Sequence, residues 1–196
     1  MPRPAVQGVP RLSHLYRIRM PPADEIAIRP CNAGDANTLA LVGAATFLEA
    51  FAGVLEGASI VAHCAKNHDA RVYADYLAEP STRAWIAESA PGGAPVGYLL
   101  LTKPDLPLSD LMPEDVELKR IYLFSRFSGS GLGKRLMEQA IVGARELGAG
   151  RLLLGVHREN GRALRFYERN GFTPVGVRTF QVGTQIYDDL ILARSL

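Results

Sequence analysis

Apolar and polar residues alternate over Glu25–Arg29 (EIAIR), which predicts a short strand. The period then lengthens. Leu39, Val42, Ala45 and Phe47 fall on or near one helical face, so a helix is predicted to about Ala52, with Asp35 as its cap. Gly53–Gly57 interrupts the pattern; Ala58–Asn67 and Asp69–Ala78 read as two shorter helices, the second ended by Pro80. Strand spacing returns in Thr82–Glu88 and Val96–Lys103, separated by the turn PGGAP, a hairpin signal. A loop carrying Pro104, Pro107 and Pro113 leads to a strand at Glu117–Phe124. Leu132, Leu136, Met137, Ala140, Ile141, Ala144 and Leu147 mark the next helix, which Gly148 stops. Arg151–His157 is a short apolar strand, and Asn160–Asn170 a helix with Asn160 at its cap and Gly171 past its end. Val175–Val182 and Gln185–Ala193 close the chain as two strands joined at Gly183-Thr184. The order β, helices, β, β, β, α, β, α, β, β predicts an α/β (α+β) domain, a mixed sheet with helices packed on it.

Composition narrows this only in part. The 196 residues, 47% of them apolar, suit one domain with a real core. A net charge of +2 gives no strong pull toward nucleic acid or a membrane surface, and no apolar run approaches the length of a transmembrane helix. Cys31 and Cys64 lack the number for a disulfide framework and the spacing of a metal site, so no metal is expected and both read as buried small residues of a cytoplasmic protein. Residues 1–22 differ from the rest: Arg3, Arg11, Arg17 and Arg19 with several prolines, and no acid before Asp24. They lack the apolar stretch of a secretory signal and read as a flexible extension or an arm lying on the domain surface, with residues 23–196 as the single domain.

The stretch FSGSGLGKR, Phe127–Arg135, sits between a strand and a helix. Glycine at every second position lets backbone approach a ligand and adopt positive φ. The helix that follows offers unpaired N–H groups and a partial positive charge, which suits phosphate. A Walker loop fails on this spacing: its first glycine would fall on Ser128, and Arg135 replaces the Ser or Thr that magnesium needs. A dinucleotide fingerprint needs G-x-G-x-x-G, and the spacing here is G-x-G-x-G. The pyrophosphate loop of coenzyme A acyltransferases is the third type.

Asn160–Phe172 reads NGRALRFYERNGF. Each residue has a structural explanation: Asn160 as cap, Phe166 and Tyr167 as core, Gly171 as helix stop. The combination N-x-x-A-x-x-F-Y-x-x-x-G-F, some thirty residues after a strand–GxGxG–helix unit, closely resembles the GNAT superfamily of acetyl-CoA-dependent N-acetyltransferases. The resemblance covers roughly Ile26 to Leu196 and is most specific over Glu117–Phe172. It implies the acyl-CoA N-acyltransferase fold: a mixed, mostly antiparallel seven-stranded sheet, helices on both faces, and splayed fourth and fifth strands, here Glu117–Phe124 and Arg151–His157. Acetyl-CoA, as co-substrate, would enter the splay. Its pantetheine arm would pair with backbone at Leu123, Phe124 and Ser125, and its pyrophosphate would meet the loop of Ser128, Gly129, Ser130, Gly131, Leu132, Gly133 and Lys134. Asn160, Ala163, Phe166 and Tyr167 would line the coenzyme. The family signature [QR]-x-x-G-x-[GA] fits two frames, from Arg126 or from Ser128; the second suits the strand and helix, and puts Ser128 where Gln or Arg is usual.

The implied activity is acetyl transfer to a primary amine by direct attack in a ternary complex; the other reading of the same fold is a non-catalytic acyl-CoA sensor or interaction module. Tyr167 matches the family tyrosine that protonates the departing thiolate, and a phenol stays protonated at neutral pH. Glu117 stands where the family often carries its base, since only about one alkylamine in 10³ is neutral at pH 7. The acceptor is a small molecule, a polyamine or a peptide N-terminus. The run Gln181–Ile191 resembles bacterial small-molecule members, including polyamine-type enzymes. Asp188 and Asp189 are candidates to draw a cationic amine, although such a pair is more often one buried, satisfied carboxylate and one solvated one. Glu49 and Glu56 near the first helix are further acceptor-side candidates, and His157 a candidate proton relay or a structural histidine. A homodimer is an expectation from relatives that pair through sheet edges or helices.

Overall fold

The computed structural model describes residues 25–182 and 185–196; the arginine-rich stretch 1–22 and the turn at Gly183-Thr184 lie outside the described residues. The strands are β1 (Ile26–Pro30), β2 (Arg83–Ser89), β3 (Ala94–Thr102), β4 (Val116–Leu123), β5 (Arg151–His157), β6 (Thr173–Val182) and β7 (Gln185–Ser195). The helices are α1 (Ala36–Phe51), α2 (Gly57–Asn67), α3 (Ala70–Ala78), α4 (Leu132–Glu146) and α5 (Gly161–Arg169). The strands form one seven-stranded sheet in the order β1-β2-β3-β4-β5-β7-β6. Every neighbouring pair is antiparallel except β4 with β5.

One face of the sheet packs against α4. Leu132, Leu136, Met137, Ala140 and Ala144 meet Leu99, Leu101, Leu118, Leu152 and Leu154 in the largest core cluster, with α5 contributing Ala163, Leu164, Phe166 and Tyr167 at its margin. Burying a side chain such as Leu136 completely stabilises by roughly 1.5–3 kcal/mol. The other face packs against α1 and α3, where Leu39, Val42 and Tyr73 meet Ile86, Tyr98 and Leu100. A smaller cluster of Phe47, Leu55, Ile60 and Val182 ties α1 and α2 to the end of β6.

Several local expectations change: β3 begins two residues earlier than predicted, at Ala94, and β7 runs two residues further, to Ser195. Asp35 precedes α1 but makes no side-chain cap bond to it. It closes a 3-10 turn instead: its carboxylate accepts from Asn32 N–H at 2.8 Å and from the Arg29 guanidinium at 2.7 and 2.9 Å. An available guanidinium outcompetes a neutral helix amide for a carboxylate. β6 begins two residues earlier than predicted, through Pro174. β6 is an edge strand, where a missing N–H is tolerated, and its register shifts between Pro174 and Gly176. Cys31 and Cys64 are free thiols, half-buried rather than buried; burial pushes the Cys31 thiol up to about 12. No helix among the described residues is long and apolar enough to cross a membrane.

Candidate active site

β4 and β5 pair only at Val116–Leu152 and Glu117–Leu153. Beyond that point β4 continues to Leu123 and β5 to His157 without pairing, so the sheet opens into a gap. A bulge in β4 shapes its edge: Leu100 faces Arg120 and Leu101 faces Leu118, so Lys119 is inserted between them. The insertion explains why Leu118 and Ile121, three residues apart, both face the α4 cluster while Tyr122 faces the α1–α3 cluster. Phe124 N–H donates to Val96 C=O at 3.0 Å, across the ladder with β3. Antiparallel alternation therefore turns the amides of Ile121 and Leu123 toward the gap. Of the three backbone positions expected to pair a ligand arm, Phe124 is committed to β3, and Ser125 donates its N–H and its hydroxyl to the Glu49 carboxylate at 2.7 and 3.0 Å.

The glycine loop follows a 3-10 turn over Ser125–Phe127. Gly129 (φ 81°) and Gly131 (φ 87°) are left-handed, with open space where a Cβ would stand, so backbone conformation rather than crowding selects glycine there. Three of the loop amides are used internally. Ser128 N–H donates to Ser125 C=O, Ser130 N–H to Phe127 C=O, and Leu132 N–H to the Ser130 hydroxyl, which itself donates to Phe127 C=O. The first backbone bond into α4 comes from Arg135, which donates to Gly131 C=O. The N–H groups of Gly129, Gly131, Gly133 and Lys134 accordingly have no partner among the described residues. Lys134 Nζ is exposed, 3.7 Å from Glu138, whereas the Arg135 guanidinium turns away to the carbonyl of Ile26 at 2.9 Å.

Three distant segments meet at this loop. A Cβ at Gly133 would lie 3.4 Å from Leu123 and 3.7 Å from Phe166, so the end of β4, the start of α4 and the middle of α5 share one wall. Asn160 caps α5, its side-chain oxygen accepting from Ala163 N–H at 3.0 Å. Tyr167 is half-buried with its ring edge-on to Phe166 and Phe172, at centroid distances of 5.4 and 5.8 Å. Its hydroxyl makes no hydrogen bond among the described residues. Burial, aided by the neighbouring Tyr122 phenol, holds its pKa well above the usual tyrosine range.

Glu117 lies elsewhere. It is 1% exposed, at the end where β4 and β5 still pair. Its carboxylate accepts from Asp105 N–H at 2.9 Å and lies 3.4 Å from Lys119 Nζ, so it anchors the proline-rich loop and does not join Tyr167. Asp189 is buried and paired with Arg178 at 3.1 Å; Asp188 is exposed and 3.6 Å from Arg158. His157 accepts from Glu159 N–H at 3.3 Å and meets the Tyr187 ring edge-on at 5.5 Å. Glu56 stands at the N-cap of α2 without a side-chain cap bond.

Sequence reasoning missed Arg120, Tyr122 and the Tyr73–Tyr98 pair. Tyr98 stacks on Tyr122 at 6.1 Å; Tyr73 donates to the Tyr98 hydroxyl at 3.1 Å and lies 2.8 Å from His68 Nδ1. These residues lie on the α1–α3 side of the sheet, Tyr73 and Tyr98 buried and Arg120 and Tyr122 partly so. The bulge at Lys119, which reverses the strand's alternation, leaves no mark in the amino-acid pattern.

The model of the Acetyltransferase (GNAT) family matches residues 49–172, which span the gap, the glycine loop and α5. An uncharacterized N-acetyltransferase of Mycobacterium tuberculosis is 35% identical over 162 residues, 83% of this chain and 98% of that one. Another from Lactobacillus delbrueckii subsp. lactis is 36% identical over 104 residues, 53% of this chain and 60% of that one. The PaiA N-acetyltransferase of Thermoplasma acidophilum, solved in complex with coenzyme A, has the same fold: its TM-score is 0.69 at 20% identity, covering 87% of this chain and 99% of that one. The chain belongs to the GNAT family of acetyltransferases.

Proposed function

We propose that the chain transfers an acetyl group from acetyl-CoA to a primary amine by direct attack in a ternary complex. The observation that carries the reading is the parted β4–β5 edge ending in a loop with four free amides. Those amides, of Gly129, Gly131, Gly133 and Lys134, suit a diphosphate at the N-terminus of α4. The gap suits an extended arm that pairs with Leu123 as an added strand does. Asn160, Ala163 and Phe166 would flank that arm.

Acetyl-CoA supplies an activated thioester. The Leu123 N–H, directed into the gap, polarises its carbonyl. The amine nitrogen forms a bond to the carbonyl carbon, the carbon–sulfur bond breaks, and Tyr167 gives its phenolic proton to the departing sulfur. The proton lost by the amine passes to water at the mouth of the gap, because Glu117 is engaged at the closed end. Water then restores the Tyr167 proton. Alignment of the two reactants supplies much of the rate.

The test is thiol release from acetyl-CoA in the presence of an amine panel, with coenzyme A uptake followed by calorimetry. Uptake together with amine-dependent thiol release supports the reading. Uptake without turnover on any amine would favour the sensor module, and absence of uptake would remove both.

A further inference from the structure

Arg120 is the exception among the described residues. Its Nη1 is buried and has no hydrogen-bond partner. It makes no ion pair among the described residues, although it is largely buried. Its guanidinium carbon lies over the rings of Tyr73 and Tyr76, at 5.1 and 5.7 Å from their centroids. Tyr73, Tyr98 and Tyr76 favour the cation, with the Tyr73 hydroxyl as a hydrogen-bond partner, but none of the groups around it is a carboxylate. His63 and His68 are neutral, held down to about 4 and about 3 by burial and then by the Arg120 cation. The Tyr98 and Tyr122 phenols are pushed up by burial and stay protonated. The Asp189 carboxylate that acts on Tyr122 is paired with Arg178. The guanidinium is thus held by phenols and ring faces rather than by a carboxylate, and its buried Nη1 keeps an unused donor, which suits an anionic group.

The position suits an acceptor. Arg120 and Tyr122 are two residues apart on one face of β4, so their Cα atoms are separated by about 6.6 Å. An amine reacting in the gap beside Tyr122 and Tyr167 therefore places a group a few bonds away at Arg120. A guanidinium fork matches a carboxylate with two parallel hydrogen bonds, and the neighbouring phenols add donors. A polycation would meet the same positive charge and be repelled.

We propose that Arg120 is a specificity-determining residue: the acceptor is a small amine that also carries a carboxylate, as an amino acid does, and the carboxylate docks on the Arg120 guanidinium among Tyr73, Tyr76 and Tyr122. This rests on the reading of the gap as the acetyl-transfer site.

The experiment titrates the full chain, with and without saturating coenzyme A, with N-acetyl amino acids and with N-acetyl amines that lack the carboxylate. N-acetyltyrosine against N-acetyltyramine, and N-acetylhistidine against N-acetylhistamine, are two such pairs. At least one carboxylate should bind tighter than its partner by about tenfold or more. Arg120→Met should abolish that preference, and Arg120→Lys should keep part of it, while both leave coenzyme A affinity within about twofold, since Arg120 lies away from the glycine loop. Absence of binding by every carboxylate, equal binding of both members of each pair, or an unchanged preference in Arg120→Met would overturn the proposal. So would a collapse of the Arg120→Met fold, since it would make Arg120 a structural prop. Coenzyme A uptake is read separately, so its failure would strike the acetyl-transfer reading alone.

Discussion

Tyr167 and Glu117 entered as a pair of catalytic candidates, and the two side chains have opposite situations. Tyr167 has a free hydroxyl on the wall shared by β4, α4 and α5. Tyr167→Phe is expected to lower kcat by about 10², with the dissociation constant for coenzyme A unchanged; steady-state thiol release and calorimetry read the two quantities. Glu117→Gln is expected to lower Tm, because it weakens the bonds to Asp105 N–H and Lys119, and to leave the shape of the pH–rate profile unchanged. A base role for Glu117 would instead appear as a lost acid limb. The tyrosine was legible because it sits in a thirteen-residue motif with helical spacing. The surroundings of Glu117 and Arg120 were not, because they are set by a loop twelve residues away and by a helix nearly fifty residues upstream.

At the scale of elements, the order of strands and helices followed from periodicity and turn residues alone. β5 falls on Arg151–His157 as predicted, since a short apolar run bounded by Gly150 and Asn160 admits little else. Boundaries moved by two residues at the start of β3, the start of β6 and the end of β7; the one at Pro174 depends on which strands are edges, and that is a property of the assembled sheet. α4 starts where the glycine pattern indicated, and the left-handed Gly131 is its entry. Gly131→Ala should cost about 1–2 kcal/mol in urea unfolding and weaken coenzyme A binding, since the same turn aims the free amides. α1 adds a contact that pattern reading did not foresee: Glu49 reaches across to Ser125 at the rim of the gap. An arm pairing along β4 must displace that carboxylate. Glu49→Ala is therefore expected to tighten coenzyme A binding about three- to tenfold; weaker binding would mean that the carboxylate stays and grips the ligand.

For the whole molecule, ligand and proton binding set how stability responds to conditions. Coenzyme A at about 100 times its dissociation constant adds about 2.7 kcal/mol, which raises the Tm of a chain this size by about 5–10 °C. ATP and NAD should produce no such shift. In acid, His63 and His68 dominate: the unfolded chain takes up protons below about 6.5, whereas the folded chain resists down to about 4 and about 3. Stability is thus full above about pH 6.5 and falls as the pH drops through that window. A His63→Gln/His68→Gln variant should lose less Tm between pH 7 and pH 5 than the parent.

Among the described residues, the two backbone pairs Val116–Leu152 and Glu117–Leu153 are all that joins β1–β4 to β5–β7–β6 within the sheet. The sheet is therefore two leaves on one short hinge, backed by α4. Deuterium uptake at Ile121 and Leu123, whose amides face the gap, should be fast in the free chain and slow once a molecule fills the opening. A ligand there works as a staple, knitting the leaves into a continuous ladder.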